Sequence, residues 1–113
     1  MGDWRGAVED FDKAIALNPS WPKSYNNRGV AKARLGDRQG ALVDLAHSIE
    51  LDPGSIDSRY SRAQGNEEFG EWDKAIADWT MVLRLMGPSH PRRPVVMKLL
   101  EVDRERSRAA KQK

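Results

Sequence analysis

The chain has 113 residues, 32% of them charged and 39% hydrophobic, with a net charge of only +2. It has no cysteine, which excludes disulfides and thiolate metal sites, and its apolar runs of a few residues fall far short of the ~20 that a membrane helix needs. Eight Lys or Arg against three acids place +5 on residues 92–113, which leaves −3 on residues 1–91.

The first predicted helix runs from Asp3 to about Asn18. Trp4, Ala7, Val8, Phe11, Ala14 and Ile15 form one apolar stripe at helical spacing, and Asp3 can cap the start. No basic segment followed by an apolar stretch precedes it, so no leader is expected and the chain reads as cytoplasmic. Gly6 stands where a myristoylation signal on Met1-Gly2 wants Ser or Thr. Asn18-Pro19-Ser20-Trp21-Pro22 makes a turn. A helix then spans about Pro22 to Leu35, ended by Gly36 in the left-handed conformation. Asp37 caps the next, about Arg38 to Leu51, whose stripe is Ala41, Leu42, Leu45, Ser48 and Ile49.

Asp52-Pro53-Gly54-Ser55 is a turn. Residues 56–69 form the weakest helix, with a thin apolar pattern and Gly65 inside it. Glu71 to Met86 is the strongest, with Trp72, Ala75, Ile76, Trp79, Val82 and Leu83 on one face. After the Ser89–Arg93 linker a last helix begins near Pro94. Val95, Val96, Leu99, Leu100 and Val102 can cover the preceding hairpin, while the sequence beyond Asp103 has nothing to bury and reads as a solvated, fraying tail.

The chain repeats itself. Gly2, Gly36 and Gly70 align at a spacing of 34 residues, as do Ala7, Ala41 and Ala75; Val8, Leu42 and Ile76; Phe11, Leu45 and Trp79; and Leu17, Leu51 and Leu85. A fixed period of this length marks stacked helical hairpins. With Gly29, Ala41, Leu45, Ser48 and Pro53 in place, the chain resembles the tetratricopeptide repeat (TPR) family over residues 2–88. The resemblance implies an all-α fold: a right-handed solenoid of helical hairpins, about two and a half repeats plus a C-terminal capping helix. The array would occupy residues 1–91, as a half repeat at 2–19 and full repeats at 22–53 and 56–88. Residues 92–113 would be the capping helix with its basic solvated tail. By register the first helix is the second of a pair whose first is missing, so Trp4, Ala7, Phe11 and Ala14 lack a local partner. Trp4 and Trp72 share a register position and are expected to pack between hairpins.

Little here supports chemistry. His47 and His90 have no second ligand or base at useful spacing, so neither a catalytic residue nor a metal site is expected. Asp10, Asp44 and Asp78 recur with the period, but helices two packings apart hold them too far from one another to share an ion, and they read as solvated charges. Gly36-Asp37-Arg38-Gln39-Gly40 is not a phosphate loop, since no strand precedes it and no Gly-Lys-Ser/Thr follows. No cofactor is implied.

In the TPR family the inner face binds peptide segments. Carried over by register, that face holds Lys23, Asn26, Asn27, Val30 and Ala33 in one helix and Asp57, Tyr60, Ser61, Gln64 and Glu67 in the next, with Trp21 at the rim. Asn and Gln amides offer a donor and an acceptor to an extended backbone, and Tyr60 offers flat area with a polar tip. Asn27 matches one residue of the carboxylate clamp of chaperone-binding members, but the clamp's other residues are absent and Asp57 stands where a cation is wanted. The resemblance thus implies a non-catalytic scaffold for a protein or peptide partner. Homodimerisation through Trp4, Ala7, Phe11 and Ala14 is the alternative. The basic tail raises nucleic acid as a third partner, against which stand its interleaved acids and lack of aromatics.

Overall fold

The structure, a computed structural model, describes residues 3–112; Met1, Gly2 and Lys113 lie outside the described residues, and with them the first of the repeated glycines. Six α-helices and no strand occur among the described residues: α1 (Trp4–Leu17), α2 (Pro22–Arg34), α3 (Arg38–Leu51), α4 (Ile56–Glu68), α5 (Trp72–Leu85) and α6 (Arg93–Lys111).

Local chemistry sets their ends. Asp3 and Asp37 accept from the free backbone amides of Gly6 and Gly40 at 3.0 and 2.9 Å, and Ser55 accepts from Ser58. Pro22 opens α2, where its missing N–H is no loss. After α2 and α4 the chain turns through Gly36 and Gly70, with φ of +83° and +72°. The amides of Asp37 and Glu71 then bond back to the carbonyls of Lys32 and Asn66, a closure that needs a left-handed residue and hence glycine.

The helices pack as antiparallel hairpins, α2 on α3 and α4 on α5, with α1 against α2 and α6 against α5. Repeat-equivalent residues take equivalent places: Ala41 and Ala75 are buried, as are Leu45 and Trp79. At Gly29 a Cβ would lie 2.9 Å from Leu45 Cγ and 3.1 Å from the Ala41 carbonyl, so the α2–α3 crossing requires glycine. The main core joins Ala63, Ala75, Trp79, Val82, Met86, Val96 and Leu100, which makes α6 part of the third layer.

Beyond Asp103 every described residue but Ser107 is exposed, as expected of a solvated tail, but the segment is pinned rather than frayed. Helix α6 continues to Lys111, with Asp103 and Ser107 buried on its inner side. The Ser107 hydroxyl donates to Asp73 Oδ1 at 2.6 Å, Lys111 Nζ pairs with Asp73 Oδ2 at 3.2 Å, and the Arg106 guanidinium stacks 5.0 Å from the Trp72 ring. These partners lie at the start of α5, distant in sequence, so no local pattern announces them. The Ser107 bond and the Lys111 pair hold the Asp73 carboxyl below its ordinary range. Trp4, expected between hairpins, is instead 37% exposed, because α1 has no second helix on that side.

Candidate functional site

The inner surface is built where α2 and α4 run side by side. A cleft of about 420 Å³ opens there, lined by Lys23, Asn26 and Asn27 of α2 and by Ile56, Asp57, Tyr60 and Ser61 of α4. Met86, His90 and Arg92, from the end of α5 and the linker after it, complete the lining. That volume falls within the ~300–1,000 Å³ of ligand-holding clefts.

Tyr60 is the fixed point of the cleft. Its ring meets Trp79 edge-on with centroids 4.8 Å apart, and its hydroxyl accepts from Arg92 Nη2 at 2.7 Å. The Arg92 guanidinium also lies 5.1 Å from the Tyr60 centroid, an arrangement that favours a cation over the ring face. His90 Nδ1 accepts from the Arg92 amide, which ties the linker to the same wall. The Asn26 Oδ1 is buried without a protein partner, an acceptor that an entering N–H can satisfy.

The sequence-derived residues divide among three hollows. Lys23, Asn26, Asn27 and Tyr60 come together in the main cleft. Trp21, 51% exposed, lines a neighbouring hollow of about 230 Å³ with Lys23, Asn26, Asp52 and Asp57. Val30 and Gln64 line a depression of about 30 Å³ next to Phe69, with Ala33 and Ser61. Ile56, Met86, His90 and Arg92 were not foreseen.

Two expectations are corrected. Asp44 and Asp78 are not solvated: Asp44 takes two bonds from Arg28 at 2.7 and 2.8 Å and Asp78 two from Arg62 at 2.9 and 2.8 Å. Both carboxylates are nearly inaccessible, and both arginines are held above their ordinary pKa, first by these hydrogen bonds. Only Asp10 is exposed. Glu67, expected in the groove, faces α5 and α6 instead. Trp79 Nε1 donates both to Asp103 Oδ2 at 2.9 Å and to Glu67 Oε2 at 3.2 Å.

Two carboxyl groups on one N–H cannot both stay charged cheaply. Burial first, and then the bond and charge of Asp103, push Glu67 from its ordinary 4.5 up to about 7, against the opposing pull of the Trp79 bond and Arg106. Folded Glu67 therefore keeps a proton that the unfolded chain releases. Its stabilising effect is complete below pH 4.5 and is lost as pH rises through about 7. Glu67→Gln retains an acceptor for Trp79 and a donor for Asp103 at every pH. Melting curves from pH 4.5 to 8 are expected to show the variant matching the parent at the acid end and exceeding it by roughly 1 kcal/mol at pH 8, after allowance for solvent screening. Parallel pH profiles would contradict the shared proton.

No group of three or more His, Asp or Glu converges among the described residues, and no described helix is long and apolar enough to cross a membrane.

Comparison with known proteins places the architecture. Residues 1–36 match the family model described as TPR repeat. The structure is similar to the Arabidopsis OM64 TPR domain, at 29% identity and a TM-score of 0.73, over 86% of this chain and 79% of that one. It is also similar to SycD, the type III secretion translocator chaperone of Yersinia enterocolitica, at 14% identity and a TM-score of 0.85, over 95% of this chain and 76% of that one. MamA protein aligns at 24% identity and a TM-score of 0.77, over 97% of this chain and 60% of that one. No curated protein matches.

Proposed function

We propose that this chain, built of tetratricopeptide repeats, is a non-catalytic scaffold whose concave cleft holds an extended segment of a partner protein. Its family mediates protein–protein interaction. The observation that carries the finer reading is the meeting of Asn26, Asn27 and Tyr60 in one cleft of peptide-accepting size, with Ile56 and Met86 as its apolar surfaces. An extended backbone presents alternating N–H and C=O groups, and asparagine amides answer both. Tyr60 gives the ligand a rigid aromatic surface, already oriented by Trp79 and Arg92.

Calorimetric titration against a peptide library tests the reading. Tyr60→Ala is expected to weaken the best binders about tenfold or more, as buried aromatic anchors do. Asn27→Ala is expected to weaken them severalfold, and Val43→Ala, an exposed change on α3, to leave them unchanged. Binding indifferent to both groove variants would place the ligand elsewhere.

A further inference from the structure

A second hollow, of about 330 Å³, lies where α3, α4 and α5 meet, and it shares no lining residue with the cleft. Leu42, Ala46 and Ala77 are its apolar walls, and Arg62, Lys74 and Asp78 its charged groups. It sits between described helices and not at an end of the array, so a further hairpin stacked on either end would not fill it. The same place one period earlier holds Asp12, Arg28 and Asp44, with Lys32 where the later layer has Asn66. There the charges are matched. Arg28 gives Nε and Nη2 to Asp44 and Nη1 to Asp12 at 2.9 Å, and Lys32 pairs with Asp44. In the later layer Arg62 grips Asp78 by the same fork of Nε and Nη2. Its Nη1 therefore points where that of Arg28 points, toward the register position of Asp12, and the residue there is Ala46. The Arg62 side chain is 28% exposed, within reach of a solute. Lys74, exposed, adds a cation where the earlier layer has Gly40. Two cations thus line a hollow that contains one carboxylate.

We propose that this hollow is a binding site for a carboxylate on a short apolar stem, with the carboxylate on Arg62 Nη1 and Lys74 Nζ and the stem against Leu42, Ala46 and Ala77. The sign of the ligand follows from the earlier layer, where two carboxylates answer two cations; a single negative group restores that balance here. The guanidinium presents its N–H donors in a fixed planar fork that suits a carboxylate. The stem follows from the apolar walls and from the exchange of Asp12 for Ala46, which leaves the depth of a carboxylate side chain open beside Arg62. Two sources can supply this chemistry, a free short-chain acid and a glutamate side chain on a protein segment. The site is separate from the cleft, so it stands or falls independently of peptide binding there.

The first probe is sodium butyrate, titrated into the full chain at constant ionic strength and followed by NMR. It is expected to give saturable shifts at Leu42, Ala46 and Ala77. Its neutral isostere butyramide is expected to bind about tenfold more weakly, because it forms no charge-assisted bonds. Lys74→Met, an exposed change, is expected to weaken butyrate severalfold and to melt with the parent. Ala46→Asp places a carboxylate where Asp12 stands one layer earlier, and is expected to abolish binding while keeping the fold. The second probe is a blocked Ala-Ala-Glu-Ala-Ala peptide. Binding about tenfold tighter than butyrate assigns the carboxylate to a protein side chain, and binding no tighter assigns it to a free acid. Absence of saturation with both probes, equal affinity for butyrate and butyramide, or binding that survives both Ala46→Asp and Lys74→Met would overturn the proposal. So would shifts confined to the surroundings of Tyr60, since the acid would then be held in the cleft by Lys23 and Arg92.

Discussion

Trp79→Ala is expected to lower the unfolding free energy by about 3–5 kcal/mol, the cost of emptying a large aromatic site in a packed core. Trp79 is fully buried and touches every part of the third layer: Tyr60 edge-on, the carboxyl groups of Glu67 and Asp103 through its N–H, and the cluster of Ala63, Val82, Val96 and Leu100 around it. The change thus removes apolar contact and strips Asp103, which is fully buried, of its closest donor. Domains of this kind hold only about 5–15 kcal/mol in all. Helix α6 is attached through the same cluster, so its amides are expected to lose hydrogen-exchange protection first. Trp79→Phe separates the two effects. It keeps most of the packing and loses only the donor, for about 1–3 kcal/mol. Trp4→Ala, at the exposed end, is expected to fall within about 1 kcal/mol of the parent. Urea denaturation measures all three. A loss below about 1 kcal/mol in Trp79→Ala would mean that the layer is not keyed by this side chain.

The hairpin stack could be read from the chain because its period is set by local geometry. Leu45 and Trp79 had to fall at the same phase of successive helices, and the glycines that end α2 and α4 mark where each helix stops. The groove residues Lys23, Asn26, Asn27 and Tyr60 could be grouped for the same reason: α2 and α4 are translated copies. Arg92 and His90 could not, since they follow the break in the period, where the path of the linker depends on tertiary packing. The anchoring of α6 beyond Asp103 was equally hidden, because its partners Trp72 and Asp73 are distant in sequence. The buried ion pairs differ, because their pattern is present in the chain. Arg28 and Arg62 recur at the same 34-residue spacing as their aspartates, and an antiparallel hairpin brings such positions face to face. Ser24 and Ser58 show how far the copies diverge. The Ser58 hydroxyl meets that of Ser48 at 2.6 Å, whereas Ser24 has Ala14 in the equivalent register and its buried hydroxyl is unpaired.

That divergence decides the second large effect. Arg28 contacts two carboxylates, Asp44 and Asp12, while Arg62 contacts only Asp78, so a count of bonds makes Arg28 the costlier residue to lose. The surroundings reverse the order. Asp44 also has Lys32 Nζ at 3.2 Å, and Asp12 is exposed to water. One period later the place of Lys32 is taken by Asn66, whose Oδ1 is itself buried and unpaired. Arg62→Ala therefore leaves Asp78 buried with no cation among its ion-pair partners, and is expected to cost about 3–5 kcal/mol, the penalty for breaking a buried pair from one side. Arg28→Ala leaves Lys32 in place and is expected to cost about 1–2 kcal/mol less. If the missing charge is the cause, Asn66→Lys in the Arg62→Ala background should restore part of the loss by recreating the Lys32 arrangement. Replacing the pair together, as Arg62→Met with Asp78→Leu, should be far milder than either single change. Urea midpoints for the four variants test the ordering. Equal losses for Arg28→Ala and Arg62→Ala, with no rescue by Asn66→Lys, would mean that the arginine's packing along the hairpin, and not its charge, holds the two helices together.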